Sequence, residues 1–424
     1  MGGIQVVLIG YTNLKVLKQA LISLNFISKK IQKVILLKEN TSFSYQSSAC
    51  YFSEVTHENL VNEDLGETLN KLVEVSSAEY TLFLYDGQYF SIDIKNLLLE
   101  LENGKHVVTY DDNDFGLNFK KIFMVRNTFL KQTKLLSKYQ VPFKEAVLPA
   151  WLSQIRQSNI INMPCEFINR EHRKHSIDQL EKNKFIKKYF CTDTISSQGS
   201  SIAIMIANYN MADYVDIAIN SCYLQNGTFD QICVIDDGST DNSYEQLEKW
   251  KNQSNFQLLR SVNEGKASAL NKVIPHINTE FVMELDADDW LDPNAFSVIS
   301  NNITSLPKEV SVLYGNLKTW KQTREGHIHF GRLKKGKQVD NKRELLSYKF
   351  PLGPRIYRTS SLKEVNGFPI FEFEDVAILN NIIKKNLLLY QDFSVYNVRE
   401  HKLSFTRKEK KNHSKWSDFK RYFD

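Results

Sequence analysis

The sequence predicts an α/β protein built as two tandem domains, each a mixed sheet flanked by helices. Three observations carry that prediction. Short apolar runs rich in β-branched residues alternate with segments of helical spacing in both halves of the 424 residues. Several of these runs end in polar or acidic residues, as strands do when their carboxyl ends share one crevice. Tripeptides of the first half recur in the same order in the second.

Taken in order, residues 4–9 (Ile-Gln-Val-Val-Leu-Ile) form the first predicted strand, closed by Gly10-Tyr11-Thr12-Asn13. Helical spacing follows from Leu14 to Leu24, then a strand over Lys33–Leu37, a helix over Leu65–Val75 and a strand over Tyr80–Leu84. Ser196-Ser197-Gln198-Gly199-Ser200 is a small polar linker, which sets the domains at about 1–190 and 200–424. The second domain opens with the strand Ile202–Ala207, ending at Asn208-Tyr209-Asn210, and a helical stretch through Cys222. Ile232–Ile235 leads into Asp236-Asp237-Gly238-Ser239-Thr240-Asp241, and Phe281–Leu285 into Asp286-Ala287-Asp288-Asp289-Trp290. Glu374-Asp375 opens an apolar run that continues as a helix to Ile383.

The repeat has a fixed register. Leu69-Asn70-Lys71 recurs as Leu270-Asn271-Lys272, and in both copies the strand-end residue, Tyr85 or Asp286, lies 15 positions after the Asn. Arg170-Glu171-His172 recurs as Arg399-Glu400-His401, and each Arg lies 25 positions after a Glu, Glu145 or Glu374. The second copy is longer between these landmarks, and the surplus is expected in Gly315–Leu346.

A net charge of +5 with 24% charged residues gives no nucleic-acid footprint, and an anionic substrate or lipid surface is compatible with it. Cys50, Cys165, Cys191, Cys222 and Cys233 include no pair two residues apart, which suggests a reduced compartment, with Cys222 and Cys233 as small core residues. No run approaches about 18 apolar residues, and Met1-Gly2-Gly3-Ile4 lacks a signal peptide's basic and apolar regions. The expected location is the cytoplasm.

The acidic cluster sets the chemistry. Three carboxylates, Asp286, Asp288 and Asp289, within four positions of a strand end repel one another unless a cation sits among them, and a hard divalent ion is the usual answer. A solvated acidic turn capping the next helix fits the same residues, with Asp289 serving the Asp292-Pro293 segment. On extended chain Asp286 and Asp288 would face the same way. Asp-Gly-Ser after Asp236 is also strong turn chemistry, and Asp375 at a helix start also suits the helix dipole.

These residues, in this order and spacing, resemble the family 2 glycosyltransferases of the GT-A fold. The resemblance rests on Asp236–Asp241, Asn263-Glu264-Gly265-Lys266 running to Asn271, Asp286–Asp289, Glu374-Asp375, and Arg399-Glu400-His401 with Ser404, covering about 200–407. It implies two tandem GT-A-like domains, the second an inverting transferase using a nucleotide sugar, a UDP-sugar above all, with Mg²⁺ or Mn²⁺. Asp375 is then the general base with Glu374 as fallback. The nucleotide falls to Ala207, Tyr209, Asp236, Asp237, Lys266, Asp286 and Ala287, and the metal to Asp288 and His401. Arg355, Arg358, Arg399, Trp290 and Arg407 are expected on the acceptor or diphosphate side. A lone His is also an ordinary structural residue, and Lys266 also suits a solvated surface.

A surface glycan, glycolipid or protein acceptor is implied, with a looser likeness to enzymes that decorate spore surfaces. A homodimer and a peripheral membrane contact are compatible. The insert's Lys318, Lys321, Arg324, Arg332, Lys334, Lys335 and Lys337 read as a wet face or as the seat of an anionic polymer or phospholipid acceptor. Trp416, Phe419 and Phe423 suggest a docking helix.

The first copy differs where carboxylates matter. Lys38-Glu39 faces Asp236-Asp237, Tyr85-Asp86-Gly87 faces Asp286-Ala287-Asp288, and Glu145-Ala146 faces Glu374-Asp375. Its expected role is a scaffold, acceptor platform or dimer contact without turnover. The rival for the whole chain is an inactive glycan-binding or assembly protein.

Overall fold

The central strands are apolar on both faces, so helices must cover both. In Ile202–Asn208, Ile202, Ile204 and Ile206 enter one apolar layer while Ala203 and Met205 enter the opposite one. The computed structural model of the chain describes residues 3–38, 55–96, 101–102, 104–114, 116–171, 176–191, 200–347, 352–371 and 373–401. Cys50, His172, Arg407 and Ser404, most of the predicted linker, and the aromatic tail lie outside them. The chain divides into two compact units, Met1–Phe190 and Cys191–Asp424.

The first unit holds β1 (Ile4–Ile9), β2 (Ile31–Lys38), β3 (Val55–Asn59), β4 (Tyr80–Tyr85), β5 (Gln88–Phe90), β6 (Val107–Asp114), β7 (Leu117–Arg126), β8 (Ile160–Met163) and β9 (Ile168–Arg170). Its helices are α1 (Leu14–Leu24), α2 (Leu65–Glu74), α3 (Asn127–Thr133), α4 (Val147–Ser153) and α5 (Ile177–Lys187). The second unit holds β10 (Ile202–Asn208), β11 (Gln231–Asp237), β12 (Phe256–Ser261), β13 (Phe281–Glu284), β14 (Trp290–Leu291), β15 (Val310–Gln322), β16 (Ile328–Lys334), β17 (Arg355–Arg358) and β18 (Leu387–Glu400). Around it lie α6 (Val215–Tyr223), α7 (Ser243–Glu248), α8 (Lys266–Val273), α9 (Ala295–Ile303), α10 (Lys342–Ser347), α11 (Thr359–Glu364) and α12 (Glu374–Ile382).

One strand order serves both units. The first sheet runs β3-β2-β1-β4-β7-β6-β8; the second runs β12-β11-β10-β13-β17-β15-β18, with β14 added at its end and β16 on β15. Orientations match as well: β1–β4 and β10–β13 are parallel, β4–β7 and β13–β17 antiparallel, and β6–β8 and β15–β18 parallel. The surplus of the second unit is thus a longer β15, the ribbon strand β16 and α10.

Two side-chain devices recur with the sheet. Asn70 on α2 exchanges a pair of hydrogen bonds with the backbone of Leu135, both 2.9 Å. Asn271 on α8 does the same with Phe368, at 2.8 and 2.7 Å. Arg126 pairs with Glu79 and lies over the Tyr80 ring, as Arg358 pairs with Glu280 and lies over Phe281. Arg358 is therefore corrected from the acceptor side to a strut. The β13–β17 register sets it opposite Phe281, at the other end of the strand from Asp286.

Candidate active site

Parallel β10, β11 and β13 end at one edge of the second sheet, and the polar residues after them meet there. Asn208 pairs in register with Asp236, and its amide donates to Asp236 Oδ1 (3.0 Å) and Ser239 Oγ (3.1 Å). Asp236 is fully buried and also accepts from Ser239 N, so it knits the two strand ends together. Asp237 accepts from Ser261 Oγ, Glu264 N and Gly265 N, at 3.0, 3.1 and 2.8 Å, and so clamps the loop that leads to Lys266. Ala207 is half-buried and Tyr209 exposed at the end of β10. These hydrogen bonds bear out the turn reading of Asp236-Asp237.

Gly265, at φ +90°, bends the chain so that Lys266 opens α8. Its Nζ donates to Glu284 Oε1 (2.7 Å) and Asp286 Oδ1 (2.5 Å). The other oxygen of Glu284 takes Arg355, from Nη2 at 2.9 Å and Nε at 3.1 Å, and Arg355 Nη1 reaches Asp375 Oδ2 at 3.3 Å. Asp375 lies in the first turn of α12, whose N-cap Phe373 is left-handed and offers no side-chain cap. Glu374 opens the same turn. Burial works against the charges of Glu284 and Lys266, and their neighbours override it: Arg355 and Lys266 hold Glu284 well below the usual carboxylate range, while Asp286 and Glu284 hold Lys266 well above the usual ammonium value. For Asp286, desolvation with Glu284 and Asp288 alongside outweighs Lys266 and raises it; burial raises Glu374.

The acidic cluster is a turn rather than extended chain, because Asp289 N closes onto Asp286 O at 3.1 Å. That separates the two outer carboxylates. Asp286 goes to Lys266, whereas Asp288 Oδ2 stands 2.9 Å from His401 Nε2, whose ring lies against Tyr214. Ala287 is buried between them in sequence. Asp289 does not cap the next segment: it is buried and accepts from Arg399 N at 2.7 Å, and burial beside Asp288 and Asp286 raises it well above the usual carboxylate value.

Three further expectations are corrected. Trp290 is fully buried against Trp320, with no face for an acceptor. Arg399 is buried too, its guanidinium over Tyr214 and Trp290 and its Nε donating to Asp288 O, so it braces the turn instead of meeting a phosphate. Lys318 leaves the wet face of the insert for a buried pair with Asp292. Arg355 sits within the charged cluster, and Arg407 lies outside the described residues. Glu284 is the member that sequence reasoning missed; its signal is a carboxylate inside the apolar run Phe281–Leu285.

Among the described residues no group of three or more His, Cys, Asp or Glu converges as a metal cluster. Asp288 and His401 nonetheless supply one oxygen and one nitrogen side by side. Two protein donors suit an ion that completes its shell with phosphate oxygens and water.

Residues 203–365 match the family model described as Glycosyl transferase family 2. The chain is 33% identical over 95 residues to a chondroitin synthase of Pasteurella multocida (strain Pm70), a span of 22% of this chain and 10% of that synthase. It is 30% identical over 128 residues to a poly-beta-1,6-N-acetyl-D-glucosamine synthase of Staphylococcus epidermidis, covering 30% of this chain and 31% of the relative. The chain thus spans well under half the length of these relatives. A crystal structure of S. aureus TarS 1-349 in complex with UDP-GlcNAc is similar over 49% of this chain and 60% of its own, at 19% identity and a TM-score of 0.39. The sequence matches place a family 2 glycosyltransferase domain at residues 203–365. No helix among the described residues is long and apolar enough to cross a membrane.

Proposed function

We propose that the second unit transfers a sugar from a nucleoside diphosphate sugar, a UDP-sugar in the first instance, to a surface glycan, glycolipid or protein hydroxyl with inversion. The observation that carries this reading is the meeting, at one sheet edge of the second unit, of Lys266 and Asp286, both within the family 2 match, with Asp375 on α12, which lies just past its end, through Glu284 and Arg355. Asp375 takes the proton of the acceptor hydroxyl as its oxygen attacks the anomeric carbon. The bond from that carbon to the β-phosphate oxygen breaks on the opposite face, and the diphosphate leaves with the electron pair. Lys266 faces the leaving group, and Asp288 with His401 would hold a divalent ion that offsets its charge.

The ribbon β15–β16 supports an anionic acceptor. Trp320 and Lys321 pair with Arg399 and Glu400 of β18, so the ribbon starts beside His401. Lys321 stands opposite His329, and among the described residues no carboxylate pairs with Lys321, Arg324, Arg332 or Lys335. The first unit, lacking Asp288 and Asp375 counterparts, serves as a scaffold or acceptor platform.

The test is release of UDP from a panel of UDP-sugars with Mn²⁺. Turnover abolished by a chelator and restored by Mn²⁺ is the expected result. UDP bound without any turnover would favour the glycan-binding or assembly protein instead.

A further inference from the structure

We infer that Glu284 is a positioning residue that ties occupancy of the donor pocket to release of the base, an inference resting on the transferase reading above. The five charges form one alternating chain, Asp286–Lys266–Glu284–Arg355–Asp375. Asp286, Lys266 and Asp375 reach solvent, with side-chain exposures of 38%, 34% and 24%, while Glu284 and Arg355 are closed off, at 3% and 12%. One carboxylate bridges the halves: Oε1 of Glu284 holds Lys266 and Oε2 holds Arg355.

In the donor-free chain Arg355 rests on Asp375 and occupies an oxygen that a base needs. A diphosphate arriving beside Asp286 draws Lys266 towards it. Glu284 cannot stay buried without a full counter-charge, so it tightens on Arg355, its one remaining cation. The contact that yields is the longest in the chain, Arg355 to Asp375 at 3.3 Å. Asp375 is then free for the acceptor hydroxyl only when a donor is present, which keeps the base idle in an empty site. The first unit agrees: the positions matching Lys266, Glu284, Asp286, Arg355 and Asp375 are Leu65, Phe83, Tyr85, Phe123 and Ala146, so the whole chain is missing together.

A crystal structure of the full chain with UDP and Mn²⁺, read beside UDP-sugar hydrolysis by wild type, Glu284→Gln, Asp375→Asn and the double variant, tests this. The Arg355–Asp375 separation should open beyond about 4 Å, with Glu284 still on Arg355. Glu284→Gln should bind UDP within about threefold, lose about tenfold or more in hydrolysis, and add little to the loss in Asp375→Asn. An unchanged 3.3 Å contact with UDP in place, or losses that simply multiply, overturns the coupling and leaves the transferase reading standing. No UDP bound and no turnover by wild type removes both. The wild-type structure decides even where Glu284→Gln fails to fold.

Discussion

The two units share a sheet and differ in its edge. In the second, charged side chains gather at the ends of β10, β11 and β13; in the first, the same strand order ends in Leu65, Phe83 and Phe123, all buried, with Tyr85 donating its hydroxyl to Ile122 O. β7 is bulged close to Phe123, so the strand carrying Arg355's counterpart is also reshaped. What persists lies elsewhere: the Asn70 and Asn271 contacts and the Arg126 and Arg358 struts. The difference separates residues that fold the sheet from the charged residues that the proposed transfer would use. An arginine present in both copies belongs to the first class, and a carboxylate present in one belongs to the second.

Converting the second edge towards the first should produce the largest effect. Asp375→Ala, which imports Ala146, is expected to cut transfer by about 10³-fold, with UDP affinity within a few fold by calorimetry. Lost UDP binding would make Asp375 a structural residue. Next, Glu284→Gln leaves Arg355 and Lys266 facing a neutral group, and denaturant unfolding should show a loss of about 3 kcal/mol, allowing for the exposure of Lys266. That loss should depend on pH. Glu284 ionises below its usual value in the folded chain, so its stabilising charge is complete above the ordinary carboxylate pKa of about 4.3 and is lost as pH falls through the lower folded value. The gap between wild type and variant should therefore be widest near neutral pH and close in acid.

Asn70→Ala and Asn271→Ala sharpen the comparison from the other side. Each removes two hydrogen bonds and strands a backbone amide, for about 2 kcal/mol in either unit. A large cost in one and none in the other would break the claim of a shared scaffold. The smallest effect is expected from Gly87→Asp, which restores one carboxylate to the first unit at a left-handed position, φ +86°. Mn²⁺-dependent UDP binding, measured with the second unit disabled by Asp286→Ala and Asp288→Ala, should stay undetectable, because Leu65, Phe83 and Phe123 remain.

The central strands were legible because β1, β4, β10 and β13 are mostly apolar runs buried on both faces. β15 and β18 were not: β15 is buried over most of its length, but Ser311, Asn316 and Thr319 interrupt its apolar run, and β18 mixes exposed and buried positions with polar residues along its length. At the site, Asp286, Asp288, Asp375 and His401 stood out as motif residues, and the structure puts Asp288 beside His401 and joins Asp286 to Asp375 through three other side chains. Trp290 and Arg399 were misplaced because a motif fixes sequence position and not direction: one turn sends them inward. Arg358 was misplaced because Glu280 and Arg358 stand 78 positions apart and their counterparts Glu79 and Arg126 only 47, so the strand register, not the spacing, aligns the two struts.

The paired Asn contact has a consequence of its own. A primary amide that gives and takes at once imitates a peptide group, so Asn70 and Asn271 each extend the backbone sideways by one artificial link. Aspartate cannot give, leucine can do neither, and glutamine is a methylene too long. Such a position is closed to drift whether or not its copy performs chemistry, which makes it a tracer for further copies of this sheet in chains whose acidic motifs have vanished.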